Sequence, residues 1–151
     1  MRKVLLDANL LIAVFDETPR TSEPQRGQAK RKLNTLLSDE TVTLVITPLI
    51  RYEVLRGISW DDPSNFIQLK QALDGLTELD VNQGVSELAA NLFRFRRSED
   101  ESRGIKRKEE KHKFDMFHLA SAKQHSLELA SQDSDIASLD SLYHRYNQAL
   151  Q

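Results

Sequence analysis

Five carboxylates stand where catalytic chemistry is readily built: Asp7, Glu53, Asp115, Asp133 and Asp135. Asp7 directly follows the apolar run Val4-Leu5-Leu6, and Asn9 lies two residues on. Glu53 is set among Ile50, Val54 and Leu55, and Asp115 between Phe114 and Met116-Phe117. A carboxylate embedded in an apolar stretch is costly to bury unless something pairs with it. Arg51 and Arg56 flank Glu53, but only Arg56, three residues on, shares a neighbouring helix face. A divalent cation is the alternative partner. Several carboxylates with almost no neutral ligands suit a hard ion, Mg2+ or Mn2+, rather than zinc. Such an ion neutralises a phosphoryl oxygen and activates water, and it reverses the repulsion that an acidic cluster exerts on a phosphodiester. Each acid also has an ordinary explanation. Asp7 suits a helix cap or turn, Glu53 a surface helix position, Asp115 the positive end of a helix dipole, and Asp133 and Asp135 a turn and cap.

Whether these acids meet depends on the elements that carry them. Residues 3–6 and 42–46 are short apolar runs of the kind buried on both faces of a sheet, the second rich in β-branched side chains. A third strand is expected at 127–130 and a weak one at 76–81. Residues 10–15 open a helix, and Pro19, Thr21, Ser22 and Pro24 mark a loop. A helix over 25–37 places Ala29, Leu33, Leu36 and Leu37 on one face. Thr47-Pro48 reads as N-cap and first helical residue of the next helix, with Gly57 as its closing residue. Residues 60–65 are turn-rich, 66–73 helical up to Gly75, 85–95 helical by the spacing of Val85, Leu88, Ala89, Leu92 and Phe93, and 114–124 helical again. The polar tail, 140–151, reads as a helix. Strands alternating with helices predict an α/β domain with a mainly parallel sheet. In such sheets, sites collect beyond the carboxyl ends of the strands, where Asp7, Glu53, Asp133 and Asp135 fall.

Composition narrows the class. A chain of 151 residues suits a single domain, 1–151, and 39% hydrophobic with 29% charged residues is globular composition. The absence of cysteine excludes a disulfide scaffold, a thiolate zinc site and a cysteine nucleophile. No apolar run approaches the ~20 residues of a membrane span, and the carboxylate at position 7 interrupts any secretory signal, so a cytoplasmic protein is expected. The net charge of −2 hides an asymmetry. Residues 94–113 hold nine Arg/Lys and five Asp/Glu, a local +4, which leaves the rest of the chain at −6. That segment is either a solvated helix end and loop or a phosphate-attracting patch.

Four blocks, in order and spacing, resemble the PIN-domain ribonucleases, and particularly the VapC-type toxins of bacterial and archaeal toxin–antitoxin pairs. They are Val4-Leu5-Leu6-Asp7-Ala8-Asn9, then Thr47-Pro48-Leu49-Ile50-Arg51-Tyr52-Glu53-Val54-Leu55-Arg56-Gly57, then Asp115-Met116-Phe117-His118-Leu119-Ala120-Ser121-Ala122, and Leu129-Ala130-Ser131-Gln132-Asp133-Ser134-Asp135. The resemblance implies a PIN-like three-layer domain with a short, mainly parallel central sheet flanked by helices. It implies that Asp7, Glu53, Asp115 and Asp133 gather around Mg2+ or Mn2+, with Asp135 supporting. Asn9 and Ser131 then stand behind these acids and orient them. His118 looks like a tolerated packing variant. Water is the expected nucleophile.

The implied function is a metal-dependent endoribonuclease acting on RNA, with Arg94, Arg96, Arg97, Arg103, Lys106, Arg107 and Lys108 on the RNA backbone. The implied partners are a small antitoxin protein and, as is common in the family, a second copy of the chain. Three departures stand out: the long charged connection over 96–113, Ser126 where relatives carry a small residue before the last strand, and a tail without an apolar strand. Other readings are a PIN nuclease of RNA processing and a non-catalytic PIN module that binds RNA or protein. A haloacid-dehalogenase-like phosphatase fits poorly, because Asn9 stands where a second Asp is required.

Overall fold

The computed structural model describes residues 2–15, 23–107, 114–131 and 136–151, Ile136 by its backbone alone. Pro19, Thr21, Ser22, Lys108, Asp133 and Asp135 lie outside the described residues. The described chain falls into two compact units. The first takes residues up to Asp80 together with the segment from Leu127, and the second takes 81–126 and the C-terminal segment.

The first unit is built on four strands, β1 (Arg2–Leu6), β2 (Val42–Ile46), β3 (Thr77–Glu78) and β4 (Glu128–Ala130), in the order β3-β2-β1-β4 with every neighbour parallel. In β1, Leu5 pairs with Val45 of β2 and with Leu129 of β4. Val4, Leu5 and Leu6 are buried, as are Leu44, Val45 and Ile46, which matches the two-faced apolar runs of the sequence. Full burial of each such side chain is worth about 1.5–3 kcal/mol. The weak strand expected over 76–81 shrinks to two residues, Thr77 and Glu78, which pair with Val45 and Ile46, while the Leu79 N–H adds one more bond to the Ile46 carbonyl at 2.9 Å.

Four helices complete this unit: α1 (Ala8–Phe15), α2 (Glu23–Leu37), α3 (Pro48–Leu55) and α4 (Pro63–Asp74). Helix α1 packs on α2 and α3, and α3 on α4. Thr47 caps α3 as the sequence predicts: its backbone is extended and its hydroxyl accepts the Ile50 N–H at 3.3 Å, with Pro48 following. Arg56, not Gly57, ends that helix. Three helices of this unit start earlier than expected, α1 at Ala8, α2 at Glu23 and α4 at Pro63. In α4, Asp62 accepts the Asn65 N–H at 3.2 Å and Pro63 follows, the same cap grammar as Thr47-Pro48. In α2, Pro24 lies inside the first turn rather than in the loop, where its missing N–H costs nothing. Ala29 and Leu33 are buried there, but Leu37 is exposed instead of sharing their face.

The second unit is helical: α5 (Gln83–Arg103), α6 (Asp115–Gln124) and α7 (Ile136–Ala149). Its core joins Val85, Ala89 and Leu92 of α5 to Met116, Leu119 and Ala120 of α6 and Leu142 of α7. Helix α5 runs well past residue 95. Its apolar period fades, but Arg, Glu and Ser continue the helix until Gly104 adopts φ 67 and closes it. Residues 94–103 of the basic segment are therefore helix, not connection. Helix α7 begins before residue 140 and is held by Glu99–Arg145 at 2.8 and 3.0 Å, Lys123–Asp140 at 2.9 Å and an edge-to-face contact of Phe95 with Tyr146.

Ser126 sits at φ 55, in the left-handed region that side chains with a Cβ adopt at a cost of about 1–2 kcal/mol. Ser126→Gly should therefore raise stability to urea by about 0.5 kcal/mol, net of the added freedom of glycine in the unfolded chain. The Arg145 guanidinium holds the Glu99 carboxyl below the usual carboxylate range, chiefly by hydrogen bonding. A depressed acid stabilises the fold fully above its unfolded pKa and loses that contribution as pH falls through the depressed value. Glu99→Gln should lower the urea midpoint at about pH 7 and converge on wild type below about pH 3. An offset equal at both pH values would remove the pair as its cause.

Candidate functional site

At the carboxyl edge of the first unit's sheet, Asp7, Thr47 and Ser131 directly follow β1, β2 and β4. The Asp7 N–H donates to the Ala130 carbonyl at 2.8 Å, extending the ladder one residue beyond β4 and fixing where Asp7 leaves the sheet. The Asp7 carbonyl accepts the N–H groups of Leu10 and Leu11 at 3.2 and 3.4 Å. Its backbone thus occupies the cap position of α1, while its carboxylate is half-buried.

Asn9 and Ser131, which the family resemblance implies stand behind the acids, are joined: the Ser131 hydroxyl donates to Asn9 Oδ1 at 2.8 Å. Ser131 is buried, and its carbonyl accepts from Lys32 Nζ of α2 at 2.7 Å. Glu53 lies half-buried in the second turn of α3, the helix that starts at the end of β2. Arg51 is committed elsewhere, with Nε on Glu78 and Nη1 on Asp74, both at 2.8 Å. These bonds, that to Glu78 foremost, hold its guanidinium above its ordinary pKa. The Arg56 guanidinium lies 5.4 Å over the Tyr52 ring.

In the second unit, Asp115 is the first residue of α6, half-buried, with no side-chain cap bond from Phe114 before it. His118, one turn on, is buried, and its N–H donates to the Phe114 carbonyl at 3.1 Å. Arg96 of α5 is half-buried. Burial foremost, and then the nearby Arg107 charge, push its pKa down, while Asp115 and Asp100 act in the opposite sense.

Arg96, Arg97, Lys106 and Arg107 line a cleft of about 370 Å3 together with Phe93, Asp100, Glu101 and Ile105. Arg97 lies 5.5 Å over the Phe93 ring. Arg94, bonded to Asn91 at 3.0 Å, and Arg103, exposed in the last turn of α5, are not among the residues lining that cleft. Lys108 lies outside the described residues.

Among the described residues, no three His, Asp or Glu side chains are gathered to hold a metal ion; Asp133 and Asp135, two of the five acids expected there, are not among them. The sequence reading missed Asp100 and Lys32. By composition Asp100 is only a charge diluting a basic segment, although a carboxylate one turn before a helix-ending glycine is placed to meet the chain as it reverses. Nothing in the local sequence marks Lys32.

The PIN domain family model matches residues 4–142. No curated protein sequence gives a significant match. Among solved structures, VapBC2 from Rickettsia felis, bound to a DNA fragment from its promoter, is 16% identical at a TM-score of 0.63, covering 90% of this chain and 92% of that one. FitAcB from Neisseria gonorrhoeae is 20% identical at a TM-score of 0.62, covering 91% and 93%. A toxin–antitoxin complex from Klebsiella pneumoniae is 20% identical at a TM-score of 0.55, covering 87% of each chain. At these identities the likeness is one of fold.

The Asn9–Ser131 bond has a measurable weight. Ser131→Ala leaves Asn9 Oδ1 without that donor, at a cost of about 1–2 kcal/mol in urea unfolding. Ser131→Thr, which keeps the hydroxyl, should lose less. Equal losses for the two would point to packing rather than to the hydrogen bond.

Proposed function

Because the chain belongs to the PIN domain family, we propose that it is a divalent-metal-dependent endoribonuclease and the toxin of a type II toxin–antitoxin pair. The observation that carries this reading is the sheet edge of the first unit, where Asp7 leaves β1 hydrogen-bonded to β4 and the buried Ser131 holds Asn9. The acids assigned to the ion are Asp7, Glu53, Asp115 and Asp133, with Asp135 supporting. Their oxygen-only donor chemistry fits Mg2+ or Mn2+. Bound there, the ion supplies charge neutralisation at a phosphoryl oxygen and a water acidic enough to serve as nucleophile.

The chain's own residues do the rest. Asn9 and Ser131 restrict the backbone and side chains around Asp7, a support whose loss typically costs a metal site 10–100-fold in affinity or activity. Arg96, Arg97, Lys106 and Arg107 offer cations to the RNA backbone. The buried His118 contributes packing rather than proton transfer. The family match runs from residue 4 to 142, through both compact units, which supports treating the chain as one functional domain.

An antitoxin protein is the proposed partner. The Klebsiella pneumoniae structure is a toxin–antitoxin complex. Large apolar side chains also stand in water on the first unit: Phe15 of α1, Tyr52 of α3, the almost fully exposed Trp60, and Phe66 and Ile67 of α4. Exposed apolar surface of this kind marks interaction sites, for an antitoxin or for a second copy of the chain. No helix among the described residues is long and apolar enough to cross a membrane, and we place the protein in the cytoplasm.

Incubation with transfer, ribosomal and messenger RNA in Mg2+ or Mn2+ should give discrete cuts that EDTA abolishes. Asp7→Asn should remove them, and Asn9→Ala should slow them by roughly 10–100-fold. RNA left intact across that panel, with metal present and antitoxin absent, overturns the nuclease reading. RNA retained but uncut favours a binding module.

A further inference from the structure

At the end of α5, Gly104 takes φ 67, its N–H donates to the Glu101 carbonyl at 3.4 Å, and the Ile105 N–H donates to the Asp100 carbonyl at 2.8 Å. This paired pattern turns the chain back along the helix it has just left. Arg107 consequently returns to α5, where its Nε donates to Asp100 Oδ2 at 2.7 Å. Asp100 is buried. A carboxylate this buried, on a charge-assisted bond this short, fixes a guanidinium that would otherwise wander in water. The result is a cleft with four cations, Arg96, Arg97, Lys106 and Arg107, against two carboxylates, Asp100 and Glu101. One of those carboxylates is spent on holding Arg107 in place.

We propose that this cleft binds a phosphodiester of single-stranded RNA, and that Asp100 is the positioning residue that presents Arg107 to it. The assignment rests on the nuclease reading for the kind of polynucleotide, and on the cleft's own chemistry for the kind of ligand. A guanidinium fork suits phosphate oxygens. Arg97, its guanidinium 5.5 Å from the centre of the Phe93 ring, adds a cation–aromatic pair that a nucleobase can join, and Ile105 is an exposed apolar neighbour. An acidic peptide would use the charges but not the aromatic pair, so a polynucleotide is favoured. Arg96 is close enough to Asp115 for their charges to act on each other.

The test uses the whole protein in EDTA, so that nothing is cut, and a fluorescein-labelled oligouridylate of about 12 nucleotides as the probe. Arg107→Gln should weaken binding by about 10-fold and lower the slope of log affinity against log salt by about 0.7–1. Asp100→Asn is the decisive variant. It makes the cleft more positive, so a charge-only account has it bind RNA more tightly. A positioning role has it bind more weakly, with the slope lowered as in Arg107→Gln. Lys70→Gln, which removes a cation outside the cleft, is the charge control, and circular dichroism checks the fold of each variant. Should Asp100→Asn fail to fold, Arg107→Gln and Arg96→Gln still decide the matter.

Tighter binding by a folded Asp100→Asn overturns the positioning role of Asp100, and unchanged affinity and slope in Arg107→Gln overturns the cleft, whether or not the wild type cuts RNA. Polyglutamate displacing the probe as well as unlabelled RNA does so too, and assigns the cleft to an acidic protein. A wild type that binds RNA through the cleft yet leaves it intact in Mg2+ overturns the nuclease reading alone.

Discussion

The hydrogen-bonded seating of β1 between β2 and β4 is the constraint on which the first unit's chemistry hangs. A parallel strand has no hairpin to set its register, so its position comes from its neighbours and from what it buries. Here the register is held by ladders on both sides of β1, by the buried Leu5 and Leu6, and by the Asp7 N–H reaching the Ala130 carbonyl. Arg2 adds ion pairs to Glu128 at 2.8 Å and Asp39 at 3.7 Å, but all three side chains are well exposed. Exposed pairs contribute about 0–1 kcal/mol, whereas each buried leucine contributes about 1.5–3 kcal/mol. The apolar run therefore decides the register. A slip of one residue along β4 would turn Ser131 to the opposite face and take its hydroxyl from Asn9.

That dependence explains why a small serine is buried at such a place. A buried hydroxyl with a partner is near neutral for stability, and one without is a cost. Ser131 is satisfied twice over, its hydroxyl on Asn9 and its carbonyl on Lys32 of α2. Sheet, α1 and α2 are thereby tied at one point, one residue beyond the end of β4. Asp7 inherits its setting from this knot: its backbone is used by both the sheet and α1.

The strands and the start of α3 were legible because their signals are local. An apolar run rich in β-branched residues means a buried strand, and Thr47-Pro48 means a helix start wherever it occurs. The same grammar stands at Asp62-Pro63, but inside the turn-rich stretch 60–65 it is masked by its neighbours, and α4 begins three residues before the apolar pattern does. The far half of α5 was hidden for a different reason. Apolar periodicity reports only a buried face, and beyond Phe95 the helix has little left to bury, so propensity and the glycine stop at Gly104 carry it instead. Of the candidate site, the position of Asp7 followed from the apolar run that it ends, whereas the supporting roles expected of Asn9 and Ser131 came only from family likeness. Their contact spans 122 residues of sequence, and no local pattern encodes such a pairing.

The Asp100–Arg107 pair marks where counting charges stops being useful. In the arithmetic of residues 94–113, Asp100 subtracts one from the local balance, and removing it would make the segment more basic. Geometry reverses that sign. The left-handed turn at Gly104 brings Arg107 back to a carboxylate already buried in the last turns of α5, so the negative charge fixes a positive one at the cleft wall. A freely rotating arginine loses rotamer entropy when it grips a phosphate, and one already held has lost much of it on folding. A field set by net charge falls off with salt over about 8–10 Å, while a guanidinium hydrogen-bonded at 2.7 Å to a buried carboxylate is screened much less. Attraction of a polyanion to the basic segment and recognition of one phosphate within it are thus separate properties. The first is written in composition, and the second in one backbone turn.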